Sequence, residues 1–192
     1  MEDYRLVDMS SMRKLEEFKC CWDIHIWPEP NMSFVFPTSL KRLTLNRFYY
    51  FRWEDISSTV IMLPNLEELK LKDCNARDDV WRLSNEDKFK SLKLLLLDVI
   101  SLERLEASSD NFPNLKRLVL KNCTYLQEIP TDFGEIGTLE SIELHDYSTT
   151  AEDSARNIVQ EQVDMGNNPL KTTSIIHAGI EAYFEGPYNA IF

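Results

Sequence analysis

Aliphatic residues recur along the chain in one fixed frame. Leu66-Glu-Glu-Leu69-Lys-Leu71-Lys-Asp-Cys74 and Leu115-Lys-Arg-Leu118-Val-Leu120-Lys-Asn-Cys123 both spell L-x-x-L-x-L-x-x-C. The spacing returns from Leu40 to Phe48, from Leu92 to Ile100 and from Leu139 to Tyr147, with a weaker copy at Leu15-x-x-Phe18-x-Cys20. First positions fall at 15, 40, 66, 92, 115 and 139, so the intervals are 25, 26, 26, 23 and 24 residues. Intervals this even mark an architecture of stacked units. A second marker keeps the same phase: Phe36-Pro37, Leu63-Pro64 and Phe112-Pro113 precede their frames, and Phe89-Lys90 keeps the aromatic without the proline.

The x-L-x-L-x stretch alternates with period two, which predicts a short strand with one buried face. One strand per copy, stacked in parallel at about 4.8 Å, builds a curved sheet. The leucines face inward and the residues between them face out from the concave side. Cys or Asn suits the ninth position, where a small residue turns the chain away. Pro37, Pro64 and Pro113 are expected outside the ladder, where a missing N–H costs little. The expected fold class is α/β: a leucine-rich-repeat solenoid (horseshoe arc) with a parallel β-sheet on the concave face and a C-terminal capping helix.

In that reading residues 15–148 hold six repeats. Residues 1–14 are the remnant of a preceding repeat or the N-terminal edge, with Met12 at a pre-frame apolar site, and the chain reads as a piece or shortened relative of a longer array. Residues 149–192 form a cap helix and an irregular tail. The cap should start at Thr149 or Thr150, lay Ala155, Ile158 and Val159 on the last repeat, and stop at Gly166. Residues 78–88 could hold a helical turn burying Val80, Trp81 and Leu83, and Leu102 and Leu105 share helical spacing within 101–107. The aromatic-rich stretches 22–39 and 48–65 carry no assignable period.

Composition narrows the function. The 192 residues carry a formal charge of −11 and only 5 glycines. A net anion disfavours nucleic acid and anionic membranes, and scarce glycine argues against a phosphate-cradling loop. No signal peptide is legible at the start, and Leu94–Leu97 is far short of the ~20 apolar residues that cross a bilayer. Cys20, Cys21, Cys74 and Cys123 form no C-x-x-C pair, which fits reduced thiols. His25, His145 and His177 lack metal-ligand spacing. His145-Asp146 beside Glu143 reads as a solvated group rather than an acid–base site.

The frame, with its Phe-Pro-x-x-Leu entries, resembles the leucine-rich-repeat region of plant intracellular NLR immune receptors, in particular the late blight resistance protein class. Phe36-Pro-Thr-Ser-Leu-Lys-Arg-Leu43, Leu63-Pro-Asn-Leu-Glu-Glu-Leu-Lys-Leu71 and Phe112-Pro-Asn-Leu-Lys-Arg-Leu-Val-Leu120 carry the likeness. So do Leu126-Gln-Glu-Ile-Pro130, Gly137-Thr-Leu-Glu-Ser-Ile-Glu-Leu144 and Ser154-Ala-Arg-Asn-Ile-Val-Gln-Glu-Gln162, and the likeness spans residues 10–170. The resemblance implies a non-catalytic recognition module in plant innate immunity, sensing a pathogen effector or guarded host protein and restraining the receptor's own nucleotide-binding module. It implies a cytoplasmic location, peripheral to membrane at most. It implies no cofactor in this chain: ADP or ATP belongs to that module, whose G-x-x-x-x-G-K-[S/T] loop has no counterpart here. A generic repeat scaffold, such as the substrate-receptor subunit of a ubiquitin ligase, is the alternative.

Outward positions define the candidate partner-binding face. Charges of opposite sign line up across the copies (Glu16, Lys41, Glu67, Lys93, Lys116, Glu140), which predicts either a self-neutralising ladder or a charge-patterned docking face. The fourth copy breaks the ladder. Leu94, Leu96 and Val99, with Val119 beside them, should form a small exposed apolar patch rimmed by Lys70, Lys93, Arg117 and Lys121. Covering of that patch by a neighbouring segment is the competing expectation. The rings of Phe48-Tyr49-Tyr50-Phe51-Arg52-Trp53 should either fill a connection or form an aromatic rim, and Trp22 and Trp27 share that ambiguity.

Overall fold

The computed structural model describes residues 4–22, 31–164 and 171–175. Each frame forms a strand. β1 is Tyr4–Asp8, β2 Glu17–Cys21, β3 Asn31–Val35, β4 Arg42–Asn46, β5 Tyr49–Phe51 and β6 Glu68–Ala76. β7 is Val80–Arg82, β8 Leu94–Ile100, β9 Arg104–Glu106, β10 Arg117–Lys121, β11 Ser141–His145 and β12 Lys171–Ile175. Helix α1 spans Trp53–Ile61 and α2 spans Thr149–Asp164. The main sheet runs β12-β11-β10-β8-β6-β4-β2, every neighbour parallel, so spatial order follows chain order. A second layer lies in the connections, where β1 pairs β3, β7 pairs β9 and β5 pairs the end of β6, all parallel.

The register puts the frame leucines in two unbroken inward rows. Phe18, Leu43, Leu69, Leu95, Leu118 and Ile142 are successive partners, as are Cys20, Leu45, Leu71, Leu97, Leu120 and Leu144. From Leu43 and Leu45 onward every member is at most 2% exposed. The pre-frame apolar residue has a backbone role as well. Its carbonyl closes a tight turn onto the first frame position, as in Leu66 N–H to Leu63 (3.3 Å), Leu92 to Phe89 (3.2 Å), Leu115 to Phe112 (3.1 Å) and Leu139 to Ile136 (3.0 Å). Met12 closes the same turn on Leu15, but its side chain is exposed and Met9 enters the core instead.

The turn leaving each strand is as regular as the entry. Arg47, Asp73, Val99, Asn122 and Asp146 all have positive φ, between 47° and 57°, and all occupy the eighth frame position. That single left-handed residue swings the ninth into the interior, where Cys74, Ile100 and Cys123 are buried. Cys74 Sγ reaches the Leu45 carbonyl (3.6 Å) and Cys123 Sγ the Leu97 carbonyl (3.6 Å). Burial pushes these thiols up, to about 11 and about 12.

Aromatic rings bind the connections into a continuous stack. Phe48 meets Phe51, Phe51 meets Trp53, and Trp53 stacks on Trp81 at 4.7 Å. Trp81 meets Phe89, Phe89 stacks on Phe112 at 4.9 Å, and Phe112 meets Phe133. Both buried indoles are satisfied: Trp53 Nε1 donates to the Asp78 carbonyl (3.0 Å) and Trp81 Nε1 to Ser57 Oγ (2.7 Å). Phe51 and Trp53 are therefore interior rings. Asn111, 1% exposed, joins the same layer. Its amide donates to the Ser84 and Asp87 carbonyls (both 2.7 Å) and its oxygen accepts from Ser108 N–H (2.7 Å).

Several local expectations change. Residues 80–82 and 104–106 are strands, because Trp81 and Leu105 pair across two connections rather than along one helix. The cap helix does form, with Ala151, Ala155 and Ile158 buried. Its capping hydroxyl is Ser148, which accepts from Ala151 N–H at 3.2 Å and so satisfies a free first-turn donor. Thr149 and Thr150 lie inside the helix. β12 extends the main sheet within a stretch expected to be irregular. The Gly166 stop, Trp27, His25 and His177 lie outside the described residues.

Candidate functional site

Strand pairing sets the outward side chains in three rows. The first is Glu17, Arg42, Glu68, Leu94, Arg117, Ser141; the second Lys19, Thr44, Lys70, Leu96, Val119, Glu143; the third Cys21, Asn46, Lys72, Asp98, Lys121, His145. Bases outnumber acids on these rows, although the whole chain carries −11. Most of the charges are paired. Arg42 engages Glu17 (3.1 Å), Lys70 engages Glu68 (2.6 Å) and Arg117 engages Glu143 (2.6 Å).

An entrance row precedes the strands. There Lys41 pairs Glu16 (2.9 Å), Lys93 pairs Glu67 (3.1 Å) and Lys116 pairs Glu140 (2.7 Å). These residues also share a backbone ladder, with Glu67 N–H donating to the Lys41 carbonyl and Lys93 N–H to Glu67, both at 2.8 Å. The Lys41 hydrogen bond holds the Glu16 carboxyl below its ordinary range, and Lys19 with Arg42 does the same for Glu17. Water and salt screen exposed pairs of this kind, so they order the surface more than they hold the fold.

The predicted partner-binding residues divide by location. Lys70, Leu96 and Val119 share the second row, Leu94 and Arg117 the first, and Lys121 the third. Lys93 stands on the entrance row. Val99 lies inside β8 at its left-handed eighth frame position, off the three outward rows, and is 48% exposed.

The patch differs from expectation at its centre. Val119 is only 2% exposed, although it faces away from the main core. Its partners in register are Leu96 on one side and Glu143 on the other, and Arg117 crosses diagonally to Glu143 beside it. The aliphatic stem of that arginine can cover apolar surface while its head stays wet. Leu94 and Leu96 are half-buried. The surface they form is a shallow apolar strip under charged side chains rather than an open patch.

Lys72 escaped the sequence reading. It lies opposite Asp98, and Lys121 lies opposite Asp98 from the other side. All three occupy the seventh frame position, so reading that column would have found it. Asp98 accepts from Asn122 Nδ2 at 3.0 Å. Lys72 and Lys121 make no ion pair among the described residues.

Among the described residues no three His, Cys, Asp or Glu side chains gather as a metal-binding group. None of the described helices is long and apolar enough to cross a membrane.

No family model matches the chain. Curated relatives do. It is 42% identical over 135 residues to the putative late blight resistance protein homolog R1B-12 of Solanum demissum, covering 69% of this chain and 10% of that protein. It is 38% identical over 146 residues to homolog R1B-16 (75% and 11%) and 39% identical over 153 residues to homolog R1B-13 (79% and 13%), both from the same plant. The chain thus spans about a tenth of the length of the relatives it matches. On this similarity, the chain belongs by descent with one stretch of the late blight resistance protein class.

Proposed function

We propose that this chain is a leucine-rich-repeat solenoid, with six repeats over residues 15–148, serving as the non-catalytic protein-recognition module of a plant disease resistance receptor. The observation that carries the reading is the parallel sheet whose strands follow chain order, in a sequence related to late blight resistance protein homologs. Such a sheet keeps the two frame-leucine rows inward and leaves whole rows of side chains free to vary toward a partner. The partner is a pathogen effector, a guarded host protein or the receptor's own nucleotide-binding module, in the cytoplasm. Lys70, Lys93, Leu94, Leu96, Arg117 and Lys121 would meet it, with Val119 supporting Leu96 from below and Val99 at the margin. Any ADP or ATP would be held by the nucleotide-binding module of a full-length receptor.

The test is complementation in trans. The matching stretch is deleted from homolog R1B-12, and this chain is co-expressed with the remainder. Capture of the truncated protein is expected, and Leu94→Asp with Leu96→Asp should weaken it at unchanged circular dichroism. Absence of capture by the wild-type chain rejects the reading.

A further inference from the structure

The C-terminal ends of β6, β8 and β10 combine two features found together nowhere else among the described residues. The first is unpaired positive charge. Lys72 and Lys121 flank Asp98 in register, two strands apart, which sets their backbones roughly 10 Å from each other. Among the described residues neither has an ion-pair partner, whereas Lys70, Lys93 and Arg117 each have one.

The second feature is Val99, immediately beyond Asp98. It is held at φ 54° and is 48% exposed. Of the four other copies, three hold Asp73, Asn122 and Asp146 there, residue types that tolerate the left-handed region, and one holds Arg47, which is not β-branched. A β-branched residue is poorly suited to that conformation, and its methyls contribute little while half of them face water. Strain kept at an exposed apolar position points to a role outside the fold.

We propose that the edge Lys72–Val99–Lys121 docks an acidic protein segment. Its carboxylates would be taken by the two ammonium groups and an aliphatic side chain would rest on Val99. The inference deepens the protein-recognition reading above and rests on it. Charge complementarity names the occupant: a chain of net −11 that keeps two unpaired lysines beside an apolar knob matches a partner with acids around one hydrophobe. A phosphate backbone or anionic bilayer meets the same whole-chain repulsion as an acidic segment, but presents no single aliphatic side chain to rest on a lone valine.

The test uses fluorescence anisotropy with a labelled decapeptide of glutamates around one central leucine. The same peptide with lysines, heparin and phosphatidylserine vesicles serve as competing probes. The wild-type chain should bind the acidic peptide. Lys72→Glu with Lys121→Glu should weaken binding about tenfold and Val99→Asn about threefold. Lys88→Glu with Lys90→Glu should leave it unchanged. Val99→Asn should weaken the peptide while resisting urea better, which a purely structural valine would not do. No binding, equal loss in the Lys88/Lys90 variant, or preference for heparin or vesicles overturns the proposal. Failed capture of the truncated receptor with intact peptide binding sinks the receptor reading alone. Intact capture without peptide binding sinks this edge alone.

Discussion

Replacing Val99 by asparagine should stabilise the protein. Val99 sits at φ 54°, where an L residue other than glycine loses about 1–2 kcal/mol against the right-handed region. Asparagine recovers much of that, because its short polar side chain bonds locally. The loss on the other side is small. Val99 is already 48% exposed, so removing its methyls gives up about half of a valine's roughly 1.5 kcal/mol of burial. The net gain is about 0.5–1 kcal/mol, or roughly 2–4 °C per kcal/mol in a chain of this size. Glycine relieves the same strain but loosens the unfolded chain by about 0.4–1 kcal/mol, so Val99→Gly should come out near neutral. Asn122→Val runs the exchange backwards and also breaks the Asn122–Asp98 hydrogen bond, so it should cost more than Val99→Asn gains. Urea unfolding followed by tryptophan fluorescence and by circular dichroism measures all three. A Val99→Asn variant less stable than wild type by 0.5 kcal/mol or more, by the same scale, would refute the strain argument.

Other outcomes follow from named contacts. Asn111→Ala should cost about 1–3 kcal/mol, because the Asp87 carbonyl loses the Asn111 amide and Ser108 N–H loses its Asn111 acceptor, while the Ser84 carbonyl keeps Asp87 N–H; thermal unfolding reads this directly. Ser57→Ala leaves the Trp81 indole N–H buried without its acceptor and should cost about 1–3 kcal/mol, with a shifted tryptophan emission. Ser148→Ala removes the α2 cap and should cost about 0.5–2 kcal/mol, felt first as fraying of residues 149–164 in hydrogen exchange. Cys74 and Cys123 hold their protons to about 11 and about 12 in the fold but release them near 9.0 when unfolded. The unfolded chain binds fewer protons above that pH, so stability falls as pH rises past 9, and Cys74→Ala with Cys123→Ala should flatten that alkaline limb.

The frame made most of the main sheet legible, since inward leucines at period two leave no other face to bury. Legibility ended where pairing carries no apolar signature. β7 and β9 are three residues each, and the i, i+3 spacing of Leu102 and Leu105 imitates a helix although the two side chains reach the core from the β8–β9 connection and from β9. In β12, Thr172 and Ser174 take the register of Ile142 and Leu144, so a search for leucines passes over it. The outward face was legible by position but not by exposure. Val119 is outward yet covered, because accessibility at an outward position depends on how the side chains of neighbouring strands lie, such as Arg117 reaching Glu143, and the frame does not encode that. Asn111 offered no pattern either: its partners at 84, 87 and 108 are set by tertiary packing.

The most direct measurement is a methyl and amide NOE map of the isotope-labelled chain. Contacts should run in register from Leu43 to Leu69, Leu95, Leu118 and Ile142, with amide contacts of the parallel type and none that skip a strand. Antiparallel amide contacts, or leucine methyls that meet a soluble paramagnetic probe, would contradict the sheet on which the recognition face is built.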